Sequence, residues 1–144
     1  MRILATRYFA RWAKHEKVSN KKILKAAEEL QNGLHDGNLG GDIYKKRIGI
    51  NNRGKRDGGR MIIAFKSENN IFCLCGYPKS KKEDITDNEL TSFQENATVF
   101  FSLTDMGIDF LIKNNELIEV SDEKKSNKGN KKKQRRTLRI PNSA

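Results

Sequence analysis

Apolar positions near the start of the chain recur with a helical period. Tyr8, Phe9, Trp12 and Ala13 share one face of a helix that Thr6 can cap and that runs to about Lys17. Ser19 or Asn20 caps a second helix, in which Ile23, Leu24, Ala27 and Leu30 form the apolar stripe. Lys21, Lys22, Lys25, Glu28 and Glu29 lie on its solvated side, and Gly33 stops it. Residues 34–41 read as a loop from their glycine content.

After that loop the period changes from 3.6 to 2. Residues 42–50, 60–67 and 70–77 read as three strands, with Asn69-Asn70 as a tight hairpin turn between the last two and Pro78 as the stop. The second and third strands are apolar on both faces, so they belong at the centre of a sheet covered by helices. Residues 51–59 are too polar and glycine-rich to pack and read as an exposed loop. Thr86-Asp87-Asn88-Glu89 is a capping box with Ile85 and Leu90 at the staple positions. Behind it Leu90, Phe93, Ala97 and Phe100 or Phe101 supply a helical core face, and Ile108, Leu111 and Ile112 supply another in a helix from about Thr104 to Asn114. The apolar pattern ends at Val120.

At 144 residues the chain is one domain's length, and 35% hydrophobic against 33% charged residues leaves enough for a small core only. No apolar stretch approaches the roughly 18–20 residues of a membrane-spanning helix, and no signal pattern opens the chain. A soluble, cytoplasmic protein is expected. Cys73 and Cys75 stand two apart in an apolar strand, which puts both on one face and makes them buried, reduced thiols. A metal pair of the Cys-x-Cys kind is the alternative, but His15 and His35 stand isolated in other segments, and neither a metal nor another cofactor is expected.

The formal net charge of +11 is unevenly spread: +3 over residues 1–43, +6 over 44–60, −5 over 61–120 and +7 over 121–144. The last segment has nine basic residues and almost no apolar ones before Leu138, so it reads as a disordered basic tail behind a folded domain of residues 1–120. The internal excess is more informative. Strand alternation places Ile43, Lys45 and Arg47 on one face and Tyr44, Lys46, Ile48 and Ile50 on the other. The second, apolar set faces the core, so Lys45 and Arg47 face out, and Lys46 has to snorkel. Arg60 opens the next strand after Gly58-Gly59, and Lys79 follows the third, so four cations converge at one sheet edge, fed by Arg53, Lys55 and Arg56 from the loop. Such a cluster suits a polyanion, whose neutralised phosphates release counterions. Neither a Ser-His-Asp set nor a nucleotide-binding glycine motif is present, and the acidic pairs Glu28-Glu29 and Glu83-Asp84 read as solvated charges beside lysines.

Several blocks stand in a familiar order: FARWAK at 9–14, GLxxxxLGGxxYKKR at 33–47, GKxxGGR at 54–60, GYxK at 76–79 and LIKNNELIEV at 111–120. Over about residues 3–120 the chain resembles toxins of the RelE/ParE superfamily, in the HigB/RelE-like branch of type II toxin–antitoxin modules. The resemblance implies an α+β fold with two N-terminal helices packed on a small antiparallel sheet with C-terminal helices. It implies a metal-independent, ribosome-dependent mRNA endoribonuclease that inhibits translation, with the ribosome, mRNA and a helix-turn-helix antitoxin as partners and no membrane. In that chemistry a ribose 2′-OH attacks its own 3′-phosphate, and cations stabilise the charge that develops on phosphorus. Carried over, Lys45, Arg47, Arg60 and Lys79 are the catalytic set, and Lys46, Arg53, Lys55, Arg56 and Lys81 contact substrate, with Lys81 as the other candidate for the basic position after the last strand.

The family pattern places a tyrosine in the helix after that basic loop, where this chain has Thr86, Asp87 and Asn88, and the nearest tyrosine is Tyr77 at the strand end. Lys45, with a pKa lowered by neighbouring cations, is the first candidate for a general base. A ParE-like toxin aimed at a protein target, or an inactive nucleic-acid-binding module, is the alternative to cleavage.

Overall fold

The structure is a computed structural model that describes residues 1–50, 54, 58–81 and 84–122. Its elements run β1 (Ile3–Thr6), α1 (Arg7–His15), α2 (Asn20–Gln31), β2 (Gly37–Gly40), β3 (Ile43–Ile48), β4 (Gly59–Ala64), β5 (Ile71–Pro78), α3 (Asp87–Phe101), α4 (Asp105–Lys113) and β6 (Leu117–Glu119). The strands form one sheet in the order β2-β3-β4-β5-β1-β6. It is antiparallel except where β1 runs parallel to β5. The α+β class holds, but the small antiparallel sheet is six-stranded and mixed, because the two shortest apolar segments, residues 3–6 and 117–119, pair side by side beyond β5.

The four helix starts follow the capping residues in the sequence. Thr6, Ser19, Thr86 and Thr104 each accept a backbone N–H from the first turn, and Thr86 completes its capping box with Glu89. Two cores result. One packs α1 and α2 on the sheet through Phe9, Ile23, Ala27 and Leu30 against Ile48, Met61, Ile63 and Cys73. The other packs α3 and α4 on the opposite face through Ala97, Ile108, Phe100 and Phe101 against Ile43, Ile62, Phe72 and Leu74. Phe100 stacks on Phe72 at 4.8 Å between ring centroids and Phe101 meets its edge at 5.8 Å. Both faces of β4 are therefore covered, as its unbroken apolar run requires. Arg2 ties the C-terminal elements to β1 through Asp105, Asp109 and Glu119.

Three local expectations are corrected. Residues 37–40 form the edge strand β2, because backbone pairing with Tyr44 and Lys45 needs no apolar side chains. The β4–β5 connection is a turn over Lys66–Asn69, closed by the Asn69 N–H on the Lys66 carbonyl, with Glu68 left-handed at φ 65°, not a tight Asn69-Asn70 hairpin. The cysteines do not share a face. Ile62 pairs with Cys75 and Ile63 with Cys73, so Leu74 is an extra residue in β5. That bulge turns Cys73 toward the α1/α2 core and Cys75 toward the α3/α4 side, which removes a joint Cys-x-Cys chelate. Burial pushes the Cys73 thiol up to about 12, so it stays protonated. Of the expected loop at 51–59 only residues 54, 58 and 59 are described, and the tail from 123 onward lies outside the described residues.

Candidate functional site

The bulge also sets the direction of everything after it in β5. Beyond Leu74 the alternation is inverted, so Gly76 faces the α1/α2 side and Tyr77 the α3/α4 side. Gly76 and Gly59 then form a flat floor on which the Trp12 ring lies. A Cβ at Gly59 would stand 2.8 Å from Trp12 Cζ2, and one at Gly76 would overlap the ring at Cε3. Gly59 of the GGR block and Gly76 of the GYxK block are thus packing requirements of Trp12. On the reverse side of the same two strands stand Arg60 and Tyr77, which are paired across β4 and β5.

Arg60 is also in register with Arg47 on β3, and Lys45 follows one pleat along the same face. Lys79 is placed beside them because its backbone N–H donates to the Gly58 carbonyl at 3.0 Å, which carries the β4–β5 pairing past Pro78. Lys45, Arg47, Arg60 and Lys79 converge with Asp36 and Asp84 around a cleft of about 240 Å³. All four residues of the expected catalytic set are therefore neighbours. They do not lie on a bare outer face, however. They occupy the end of the α3/α4 side that the helices leave uncovered, since Ile43 on the same face is fully buried.

Both carboxylates, which in the sequence look like ordinary loop charges, have defined partners. Lys45 Nζ donates to Asp84 Oδ1 at 2.8 Å. The Arg47 backbone N–H donates to Asp36 Oδ2 at 2.7 Å, and Arg47 Nε lies 3.6 Å from Asp36 Oδ1. The Asp36 N–H in turn donates to the Lys45 carbonyl, so Asp36 clasps the end of β3. Arg60 is 6% exposed, and its Nη1 donates to the Gly59 carbonyl at 3.2 Å. Tyr77 is buried behind the cleft, and burial first, then the Asp84 charge, pushes its phenol up to about 12. It remains a neutral phenol at neutral pH.

The remaining expected contacts divide. Lys46 points to the opposite face, where its Nζ lies 2.8 Å from Glu29 Oε1 beneath α2. Its side chain is 6% exposed, so it does not snorkel to substrate but fastens α2 to β3. Lys81 is exposed in the turn after β5, with its N–H on the Pro78 carbonyl, and does not line the cleft. Arg53, Lys55 and Arg56 lie outside the described residues. A second groove of about 290 Å³ runs along α2, lined by Lys22, Lys25, Glu29, Arg47, Gly49 and Gly54. Arg47 borders both depressions, so a basic track leaves the cleft toward Lys22 and Lys25.

Four cations against two carboxylates, with one guanidinium buried and two arginines in lateral register, make a site for a phosphate with charge to spare. Lys45 Nζ is engaged as a donor to the Asp84 carboxylate at the edge of this cluster. Among the described residues no helix is long and apolar enough to cross a membrane.

No curated protein matches the chain. The family model for the RelE toxin of RelE/RelB toxin–antitoxin systems matches residues 1–120, which span both cores, the mixed sheet and the cationic cleft. The chain therefore belongs to the RelE toxin family, and an antitoxin of the RelB type is its implied partner.

Proposed function

We propose that the chain is the toxin of a HigB/RelE-like module and acts as a ribosome-dependent endoribonuclease that cuts mRNA during translation. The observation that carries this reading is the convergence of Lys45, Arg47, Arg60 and Lys79 on one cleft. RNA cleavage through the ribose 2′-OH builds negative charge on the non-bridging phosphate oxygens, and a buried guanidinium there acts with less screening than one in water. Arg60 and Arg47 take that charge. Lys79, exposed at the rim, is the ammonium that supplies a proton to the departing 5′-oxygen. The flanking phosphates follow the groove past Arg47 to Lys22 and Lys25. The basic tail of residues 121–144 adds unspecific attraction to RNA. A toxin that only grips a protein needs no such phosphate-sized cation set, which disfavours the ParE-like alternative.

On this reading the work belongs in the cytoplasm, where ribosomes are, with a helix-turn-helix antitoxin as the neutralising partner. The test is cleavage of a translated mRNA by purified toxin in a ribosome-containing extract. Cuts positioned by the reading frame, ending in a 2′,3′-cyclic phosphate and insensitive to chelation of added transition metals, support it. Intact mRNA, or a requirement for such a metal, contradicts it.

A further inference from the structure

The cleft holds cations for the phosphate, yet cleavage also requires something to take the proton of the attacking 2′-OH. Charged lysines and arginines have no lone pair to offer. The Tyr77 phenol is buried and protonated. Among the described lining residues that leaves two carboxylates, and their surroundings differ. Asp36 uses Oδ2 on the Arg47 backbone N–H and faces the Arg47 side chain with Oδ1, so it is spent on holding β3 in place. Asp84 has one oxygen on Lys45 at 2.8 Å, its side chain is 66% exposed, and Oδ2 accepts no hydrogen bond among the described residues.

Its position is also fixed. Ile85 packs against the α3/α4 core, and Thr86 caps α3 with a complete capping box, so Asp84 is anchored from its C-terminal side, while Lys45 on the rigid strand β3 orients its carboxylate. We propose that Asp84 is the general base of the cleft and Lys45 its orienting partner, a role that rests on the endoribonuclease reading. Asp84 Oδ2 takes the 2′-hydroxyl proton as the O2′–P bond forms. The P–O5′ bond breaks, and the leaving oxygen receives a proton from the Lys79 ammonium. The products are a 2′,3′-cyclic phosphate and a 5′-hydroxyl. Asp84 then loses its proton to water and Lys79 regains one, which restores the site.

Single-turnover cleavage of an mRNA on programmed ribosomes, compared across variants, tests this. Asp84→Asn keeps the acceptor for Lys45 but cannot take a proton, and cleavage is expected to slow by about 10²–10⁴-fold with half-saturation changed by less than about threefold. Asp84→Ala is expected to be equally slow and to recover at least tenfold in added formate, a small carboxylate that can fill the gap, whereas Arg60→Ala is not rescued. Asp84→Asn within about threefold of wild type overturns the assignment. So does an Asp84→Ala enzyme that binds ribosomes normally and gains nothing from formate, because a packing role cannot be restored by a free anion and a basic one can. If the wild type itself leaves the mRNA intact while the protein is folded by circular dichroism, the endoribonuclease reading fails and the base assignment falls with it.

Discussion

Replacing Lys46 by Met removes the ammonium from a pair whose two side chains are 6% and 19% exposed and whose atoms lie 2.8 Å apart. Glu29 then keeps its charge beneath α2 without that cation. Breaking a buried pair from one side costs about 3–5 kcal/mol, and the remaining exposure of Glu29 places this case near the lower end, about 3 kcal/mol. That is a large part of the roughly 5–15 kcal/mol that holds a domain of this size together. With a urea m-value of about 1.5 kcal/mol/M, the unfolding midpoint falls by roughly 2 M. Glu29→Leu combined with Lys46→Met replaces the pair by apolar contacts against neighbouring Ala26 and Ile48, and is expected to unfold within about 1 kcal/mol of wild type. The cycle therefore gives a coupling of about 2 kcal/mol or more. The double variant is also expected to keep its binding of single-stranded RNA, because Lys46 faces away from the cleft and the paired change leaves the net charge beside the groove that Glu29 borders unaltered. Additive single-variant losses would refute the buried-pair argument. A double variant that is stable yet binds RNA tenfold more weakly would refute the placement of Lys46 outside the substrate track.

Gly76→Ala forces a methyl into the Trp12 ring and is expected to cost about 1–3 kcal/mol in thermal or urea unfolding, with part recovered when Trp12 is also changed to Phe. Lys22→Gln with Lys25→Gln removes two cations from the groove beside Arg47, and the slope of log affinity against log salt for single-stranded RNA is expected to shrink by about 1.4. Stability also depends on alkaline pH in a predictable direction. Cys73 and Tyr77 ionise in the unfolded chain at about 9.0 and 10.0 but only near 12 when folded, so the folded state holds more protons between those limits. Their contribution is complete below pH 9 and is lost as pH rises toward 12. Urea midpoints should fall from pH 9 to 10.5, and Cys73→Ala should flatten the early part of that fall.

The four cations of the cleft were legible because strand period and glycine punctuation are local signals. Lys45 and Arg47 share a face by alternation, and a register with Arg60 follows once β3 and β4 are neighbours. What alternation could not show was the extra residue at Leu74. A bulge leaves no mark in an apolar run, yet it decides that Tyr77 and not Gly76 faces the cleft. Asp84 and Asp36 were hidden for a different reason. Each is 39 or 11 residues away from its partner on β3, and a carboxylate in a polar loop looks the same whether it faces water or Lys45. Lys46 showed its anomaly in the sequence, a cation on an apolar face, but the pattern alone could not choose between a snorkelling side chain and a buried partner on α2. The strands β1 and β6 escaped notice because four and three residues are too short to show a period.

On the proposed reading the cleft around Arg60 cuts mRNA. Induced expression of the wild type, Arg60→Ala, Arg47→Ala and the stable Glu29→Leu/Lys46→Met variant, with transcript ends mapped in each, tests it most directly. The cleft account predicts growth arrest and frame-positioned cuts with the wild type and the Glu29→Leu/Lys46→Met variant, and loss of both with Arg60→Ala and Arg47→Ala at equal protein levels. Undiminished cuts from folded Arg60→Ala and Arg47→Ala proteins would contradict it.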